Sequence, residues 1–408
     1  MRSITLVVVL AACGGVDSGD WAGTVETLPN GAVRVTNPSR GVWEDGQPWH
    51  LSPVLVLGEE EGAGPALFSA VSGLAVDAAG RIYVLDRHAN ELRIFTRDGA
   101  HVRSVGREGG GPGEYSNANG LGWLADDTLV VVDQRGNRYT VLSAEGDYVR
   151  TVPRRLGFYS WTLTGGLDGD RIYERWYVGD EGEERLAVIG TALQEPTVPL
   201  ETGQAEATGA EVLLERAPDT LLLPPLAGPR YEAFSVRTER GGLGFPVPFA
   251  PGPVFHLDGR GGLWFGHGSE LKIFRSSLAG DTIAEILLDA MPAPVTPAEL
   301  AEWEAGETVK RFRDMGGHLD LDRIPRVKPY FDDFYLDPNG YLWVSVPGAD
   351  MEVMFRVFDP EGRYLGPLRL TGLERDRWVP MVVRGARLHL IGRDELDVER
   401  VYVFEIER

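Results

Sequence analysis

A chain of 408 residues with 61 acidic against 40 basic side chains has a net charge of −21, which repels a phosphate backbone and excludes a nucleic-acid binder. Hydrophobic residues at 43% and charged residues at 25% give enough material for a packed core. The 52 glycines and 27 prolines are spread along the chain, which predicts many turns and many short strands.

The first element is an export signal. Arg2 gives a positive start, Ile4 to Leu10 a short apolar run, and small residues follow; the run is too short for a permanent span. Leu10-Ala11-Ala12-Cys13 resembles the bacterial lipobox, in which the cysteine is acylated and becomes the first residue of the mature protein. Cys13 is the only cysteine of the chain, which suits lipidation and not a disulfide. Residues 1–12 therefore read as a lipoprotein signal peptide. Residues 13–49 read as a tether with one short strand in NGAVRVTNP. Gly14, where aspartate would mark inner-membrane retention, favours the outer membrane of a cell envelope.

A propeller occupies 50–408. Shifted by 47 residues, 64–105 lies on 111–152 without a gap and with thirteen of 42 positions identical, among them Gly73/Gly120, Asp86/Asp133 and Asn90/Asn137. The first copy reads as four strands near 72–77, 81–86, 91–96 and 101–106, and four antiparallel strands at such a period make a propeller blade. Between the copies stands GREGGGPGEY (106–115). Five glycines could cradle a phosphate, but no Lys-Ser/Thr and no helix follow. The equivalent loop before the first blade, GEEEGAGPALF, has three glutamates instead of an arginine. The stretch reads as a joint between blades. Asp86 and Asp133 close the second strand of each copy and read as acceptors for the neighbouring loop.

Later blades are diverged. They fall at 160–200, 253–289, 331–370 and 378–408, after those at 72–106 and 119–152. The last offers three strands, WVPMVV, RLHLIG and RVYVFEIE, and 50–58 supplies a fourth, which closes the ring and hides its edge. Residues 201–251 read as an excursion over one face. The fold class is therefore all-β, a six-bladed β-propeller closed by an N-terminal strand, with one helical insertion at about 296–316. That helix has Thr296 as N-cap, Pro297 at N1 and Glu299 at N3.

VLDRHANELRIFTRDGAHVRSVGREGGGPGEY resembles an NHL-type repeat. With TLPNGAVRVTNP, PVTPAEL and KPYFDDFYLDPNGYLWV, the chain resembles the bacterial 6-bladed β-propeller family of secreted, TolB-like lipoproteins. The resemblance implies the fold and export, and no particular activity.

Ligands of propellers sit at a channel mouth, so the residues opening each innermost strand are the candidate axial positions: Ser72, Asn119, Ser160 and Asp333, with Val254 and Val379 in the remaining blades. NGLGW around Asn119 resembles an element of gluconolactonase and regucalcin-type propellers, which implies Asn119 as a Ca²⁺ ligand; the glutamate of that family has no counterpart here. Lys328, Asp332 and His267 are candidates for a ligand-facing surface. The seven histidines show no metal-ligand spacing, and no Gly-x-Ser-x-Gly elbow is present. Tyr159, Trp176 and Tyr177 read as core.

The expected function is a lipid-anchored, non-catalytic, monomeric propeller that binds a protein, peptide or glycan without a cofactor and touches the membrane only through its lipid. Two alternatives stand beside it. One is a Ca²⁺-dependent lactonase- or lyase-like enzyme with its axial site at Asn119, the other an envelope ligand sensor.

Overall fold

The computed structural model describes residues 21–44, 48–124, 128–153, 232–239, 241–258, 262–277, 279–348 and 351–408, together with the backbone of three strands between 171 and 222. The amino-terminal segment carries β1 (Thr24–Thr27), β2 (Val33–Asn37) and β3 (His50–Leu57). The first blade is β4 (Val71–Val76), β5 (Ile82–Asp86), β6 (Glu91–Phe95) and β7 (His101–Val105). The second is β8 (Ala118–Leu124), β9 (Thr128–Asp133), β10 (Arg138–Ser143) and β11 (Tyr148–Pro153). The third contains β12 (Arg171–Val178), β13 (Arg185–Ala192) and β14 (Thr220–Leu222). A separate hairpin, β15 (Ala233–Thr238) with β16 (Gly241–Pro246), precedes the fourth blade. That blade is β17 (Pro253–Leu257), β18 (Gly262–His267), β19 (Lys272–Ser277) and β20 (Thr282–Leu288). Two helices follow, α1 (Pro297–Ala305) and α2 (Glu307–Asp314). The fifth blade is β21 (Asp333–Leu336), β22 (Leu342–Val346), β23 (Glu352–Phe358) and β24 (Tyr364–Thr371). The sixth is β25 (Glu374–Arg375), β26 (Val382–Arg384), β27 (Arg387–Arg393) and β28 (Glu399–Glu407).

Second strands such as IYVLD and LWVSV are buried along their whole length and mostly apolar, a blade packing on either side. Apolar clusters then join the fourth blade to the fifth, the fifth to the sixth, the sixth to the first and the first to the second. Trp343 is the largest fully buried side chain among the described residues. It sits edge-on to Phe355 and beside Trp49 of the amino-terminal segment.

That segment forms a belt on the outside of three blades. β2 runs parallel to β20 and widens the fourth blade, with β1 outside it. Trp43 and Trp49 pack on the fifth and sixth blades. β3 pairs antiparallel with β28 and becomes the outer strand of the sixth blade. Asn37 fastens the belt: its amide donates to Leu287 O and Gly362 O, and its oxygen accepts from Trp21 Nε1 and Tyr364 N, so all four hydrogen-bonding capacities of a buried side chain are used.

The glycine stretch is a joint. Arg107 pairs with Glu114 and the Gly111 N–H donates to Glu114 Oε2 at 2.8 Å, so the loop's own carboxylate sits where a phosphate would have to. Its carbonyls at Gly109, Gly110 and Glu114 accept from Arg138, which also pairs with the fully buried Asp133. Gly106 has φ +98°, and a Cβ there would lie 2.5 Å from the buried Tyr115 ring. In the first blade Arg93 performs the same task from a different position, donating to Pro65 O and Leu67 O and pairing with Asp86.

Two local expectations need correction. The single helix at about 296–316 is two, because Gly306 takes an extended conformation (ψ 149°) and interrupts it. Thr296 and Glu299 do form the reciprocal capping box. The helices pack through Trp303, Val309 and Phe312, the latter two buried, with Phe312 and Trp303 meeting Phe234 and Phe245 of the β15–β16 hairpin. The second correction concerns WVPMVV, of which only Val382 and Val383 lie in a strand.

His389 is buried in the sixth blade against Val382 O, and burial pushes its pKa down to about 4. A lowered imidazole pKa contributes stability in full above the ordinary value of 6.5, and this is lost as pH falls towards 4. Urea unfolding at pH 7.5 and pH 5 is expected to show about 2 kcal/mol less stability at the lower pH, a difference that His389→Gln reduces. An unchanged pH dependence in the variant would show that another group is responsible.

Candidate functional site at the channel mouth

The innermost strands β4, β8, β17, β21 and β25–β26 begin on one face, where each outer strand hands over to the next blade. Both insertions, the hairpin and the helices, lie in connections of this kind. The strands β17 and β21 pair with their neighbours in unbroken register. The other three do not. β4 slips between Val71 and Gly73 and β8 between Ala118 and Leu121, so Ser72 and Asn119, one repeat apart, both fall in bulges. In the sixth blade the irregularity is larger. β25 ends at Arg375 and β26 resumes at Val382, and residues 376–381 (Asp-Arg-Trp-Val-Pro-Met) loop out between them. Pro380 has no N–H to give to a ladder, and no innermost strand can run unbroken through it. Bulges re-aim side chains, and two of them stand beside the looped-out segment here.

Between them lies a cavity of about 370 Å³ lined by Val71, Ser72, Arg87, Asn119, Asp376, Trp378 and Val379. Its walls are held firmly. The Val71 N–H donates to Glu399 Oε2 at 2.7 Å, and burial raises the Glu399 carboxyl above its usual range. Ser72 Oγ donates to Ala118 O at 2.8 Å, tying the first blade to the second. Asn119 is 2% exposed, whereas Trp378 is 74% exposed although it is the largest side chain of the lining. Arg377 pairs with Asp332 at 2.7 Å and pins the looped segment to the fifth blade.

A second polar group lies beside it, contributed by three consecutive innermost strands. His256 Nε2 meets Asp333 Oδ1 at 2.9 Å; a carboxylate only accepts, so Nε2 carries the hydrogen. Arg375 Nη2 lies 3.5 Å from Asp333 Oδ2. Burial alone would raise the Asp333 carboxyl, but His256 and Arg375 outweigh it and hold the group below the usual carboxylate value. The Arg375 side chain is 6% exposed, and its Nε has no hydrogen-bond partner among the described residues.

The axial positions read from the sequence thus separate into two groups. Ser72, Asn119 and Val379 meet in the cavity, and Asp333 belongs to the His256 group. Ser160 and Cys13 lie outside the described residues. The proposed ligand-facing set does not form as a face. Lys328 is 7% exposed and donates to Gly348 O at 2.6 Å while pairing with Glu299, so it anchors α1 to the fifth blade. His267 is also buried, its Nδ1 2.7 Å from Ser269 Oγ. Asp332 is committed to Arg377. Arg87, Asp376, Trp378, His256 and Arg375 were not read from the sequence; Pro380 was the signal for Asp376 and Trp378, since it marks where the innermost strand of the sixth blade breaks.

The described lining is short of oxygen ligands for the calcium alternative. Ca²⁺ takes six to eight oxygens, whereas the described residues offer one carboxylate, one amide and an engaged hydroxyl beside the guanidinium of Arg87. No three His, Cys, Asp or Glu among the described residues converge as a metal site.

Residues 66–160, covering the first two blades, match the model of a family described as 6-bladed β-propeller. The sheets of the chain are arranged as a six-bladed β-propeller fold. Solved propellers resemble it at low identity. A Bacteroides fragilis protein taken to be exported is 10% identical with a TM-score of 0.46, covering 92% of this chain and 100% of its own. Virginiamycin B lyase from Staphylococcus aureus is 12% identical with a TM-score of 0.40, covering 88% and 99%. A gluconolactonase from Xanthomonas campestris is 15% identical with a TM-score of 0.40, covering 83% and 86%. No curated protein matches the chain.

Proposed function

We propose that this propeller is a lipid-anchored, non-catalytic binding protein of the cell envelope, and that it takes its ligand, a protein, peptide or glycan, at the channel mouth formed by β4, β8 and residues 376–381. One observation carries the reading: a largely exposed Trp378 rims a cavity with polar and apolar lining, at the place where three adjacent innermost strands depart from regular pairing. Exposed aromatic anchors beside a shaped pocket are the usual centres of binding energy. The one hydroxyl there, on Ser72, donates to a backbone carbonyl and helps build the wall. The signal peptide and the Leu-Ala-Ala-Cys sequence support export and acylation at Cys13.

Cell fractionation with a clickable fatty acid tests both parts. The wild-type chain is expected in the membrane fraction, labelled and carrying a co-purifying ligand. Cys13→Ser is expected unlabelled and released. Trp378→Ala is expected labelled and anchored but without the ligand. Equal ligand recovery from wild type and Trp378→Ala would refute the mouth as the site, and label retained by Cys13→Ser would refute the anchor.

A further inference from the structure

The composition of the cavity narrows the ligand. Resting on the reading above, we propose that the mouth receives a ring of an uncharged glycan. Four features point there. The lining combines apolar side chains, Val71, Val379 and the indole of Trp378, with polar ones, Ser72, Arg87, Asn119 and Asp376. A pyranose ring has the same division, with C–H groups on its faces and hydroxyls around its edge. The face of an indole presents negative π-density to such C–H groups. Among the polar residues Asp376 accepts from the Trp378 backbone N–H through Oδ1, which sets its carboxylate beside Trp378 with a second oxygen to accept from a sugar hydroxyl.

Charge selects against acidic sugars. The chain as a whole is at −21, and Arg87 and Asp376 balance each other, so the described lining carries no net positive charge to compensate a carboxylate or sulfate against that field. Shape selects against an extended peptide. A peptide strand is bound most simply by an open sheet edge that offers backbone N–H and C=O groups in a row. At this mouth β4 and β8 are innermost strands paired with β5 and β9, and they pack on each other: a Cβ added at Gly73 would lie 2.4 Å from Leu121 Cβ. The space of about 370 Å³ is a socket for a compact group.

Affinity electrophoresis of the folded full chain through gels containing neutral polysaccharides (starch, mannan, xylan, a mixed-linkage glucan), with a polyuronate and a random peptide library as comparisons, tests this. At least one neutral polysaccharide is expected to retard the protein. Trp378→Ala and Asp376→Asn are each expected to weaken that binding about tenfold or more. Trp378 is exposed, so its alanine variant is expected to keep the wild-type urea midpoint, which separates lost binding from lost folding. Retention on peptides through the same two residues, with no neutral glycan bound, would overturn the glycan and leave the mouth as the binding site. Preference for the polyuronate would overturn the charge argument and with it the proposal. Retardation by neutral glycans that neither variant weakens would overturn the mouth itself.

Discussion

Asp133→Ala is expected to destabilise the protein by about 3–5 kcal/mol, the usual cost of leaving a buried ion without its partner. The side chain is fully buried, and its oxygens accept from the N–H groups of Ser116, Asn117 and Gly136 and from Arg138 Nε. Removing it strands three backbone donors and the guanidinium that holds the carbonyls of Gly109, Gly110 and Glu114. The damage should extend to the joint between the first two blades, so the chain should become cleavable within 106–115 before it unfolds globally. Urea denaturation beside limited proteolysis measures both. Asp147→Ala is the control: its pair with Arg103 is exposed on both sides, and loss of such a pair costs about 1 kcal/mol or less. If the two variants unfold alike, the buried Asp is not the keystone of the joint.

Deleting residues 21–57 should have a still larger effect. The belt buries Ala32, Val35, Trp43, Trp49 and Leu57. At about 1.5–3 kcal/mol for each large apolar side chain, these alone approach the about 5–15 kcal/mol that holds a typical domain together. The deletion also bares the edge of β28 along its pairing with β3, from Val401 to Glu407. The truncated chain is expected to aggregate or to lose its cooperative unfolding transition, as size-exclusion chromatography and circular dichroism would show. A monomer with the wild-type urea midpoint would mean that the belt is decoration.

The fold was legible because its grammar repeats. The 47-residue offset aligned Asp86 with Asp133 and Ser72 with Asn119, and a bulge recurs at the second pair. The closing strand was legible because the last blade was one strand short. The site was less so, for reasons that differ by residue. Lys328 stands four residues from Asp332 in sequence, but its partner is Glu299, across the insertion; sequence proximity stood in for spatial proximity. Trp378 was hidden in an apolar run that suits a strand, and Pro380 was the stronger sign. His256 and Arg375 lie in diverged blades, where nothing in the repeat marked them. The arginines that clamp the joints escaped for a related reason: Arg93 and Arg138 do the same work from non-equivalent positions, so the repeat does not align them.

The belt has a consequence in time. Ser52 and Glu407, joined by a hydrogen bond across the closing pair, are 355 residues apart. At about 5–20 residues per second of synthesis, β3 waits roughly 20–70 s for its partner. During that wait it is a lone strand with Val54 and Val56 on show, the kind of segment that seeds wrong pairings. Pro53 falls in the middle of β3, at the position opposite Phe404 where the register slips. A proline spoils a ladder with any stranger that needs an N–H there, yet β28 accommodates it. The residue that looks least suited to a strand thus sits at the irregular point of the closing pair, and its missing N–H makes β3 a poorer match for any edge other than that of β28.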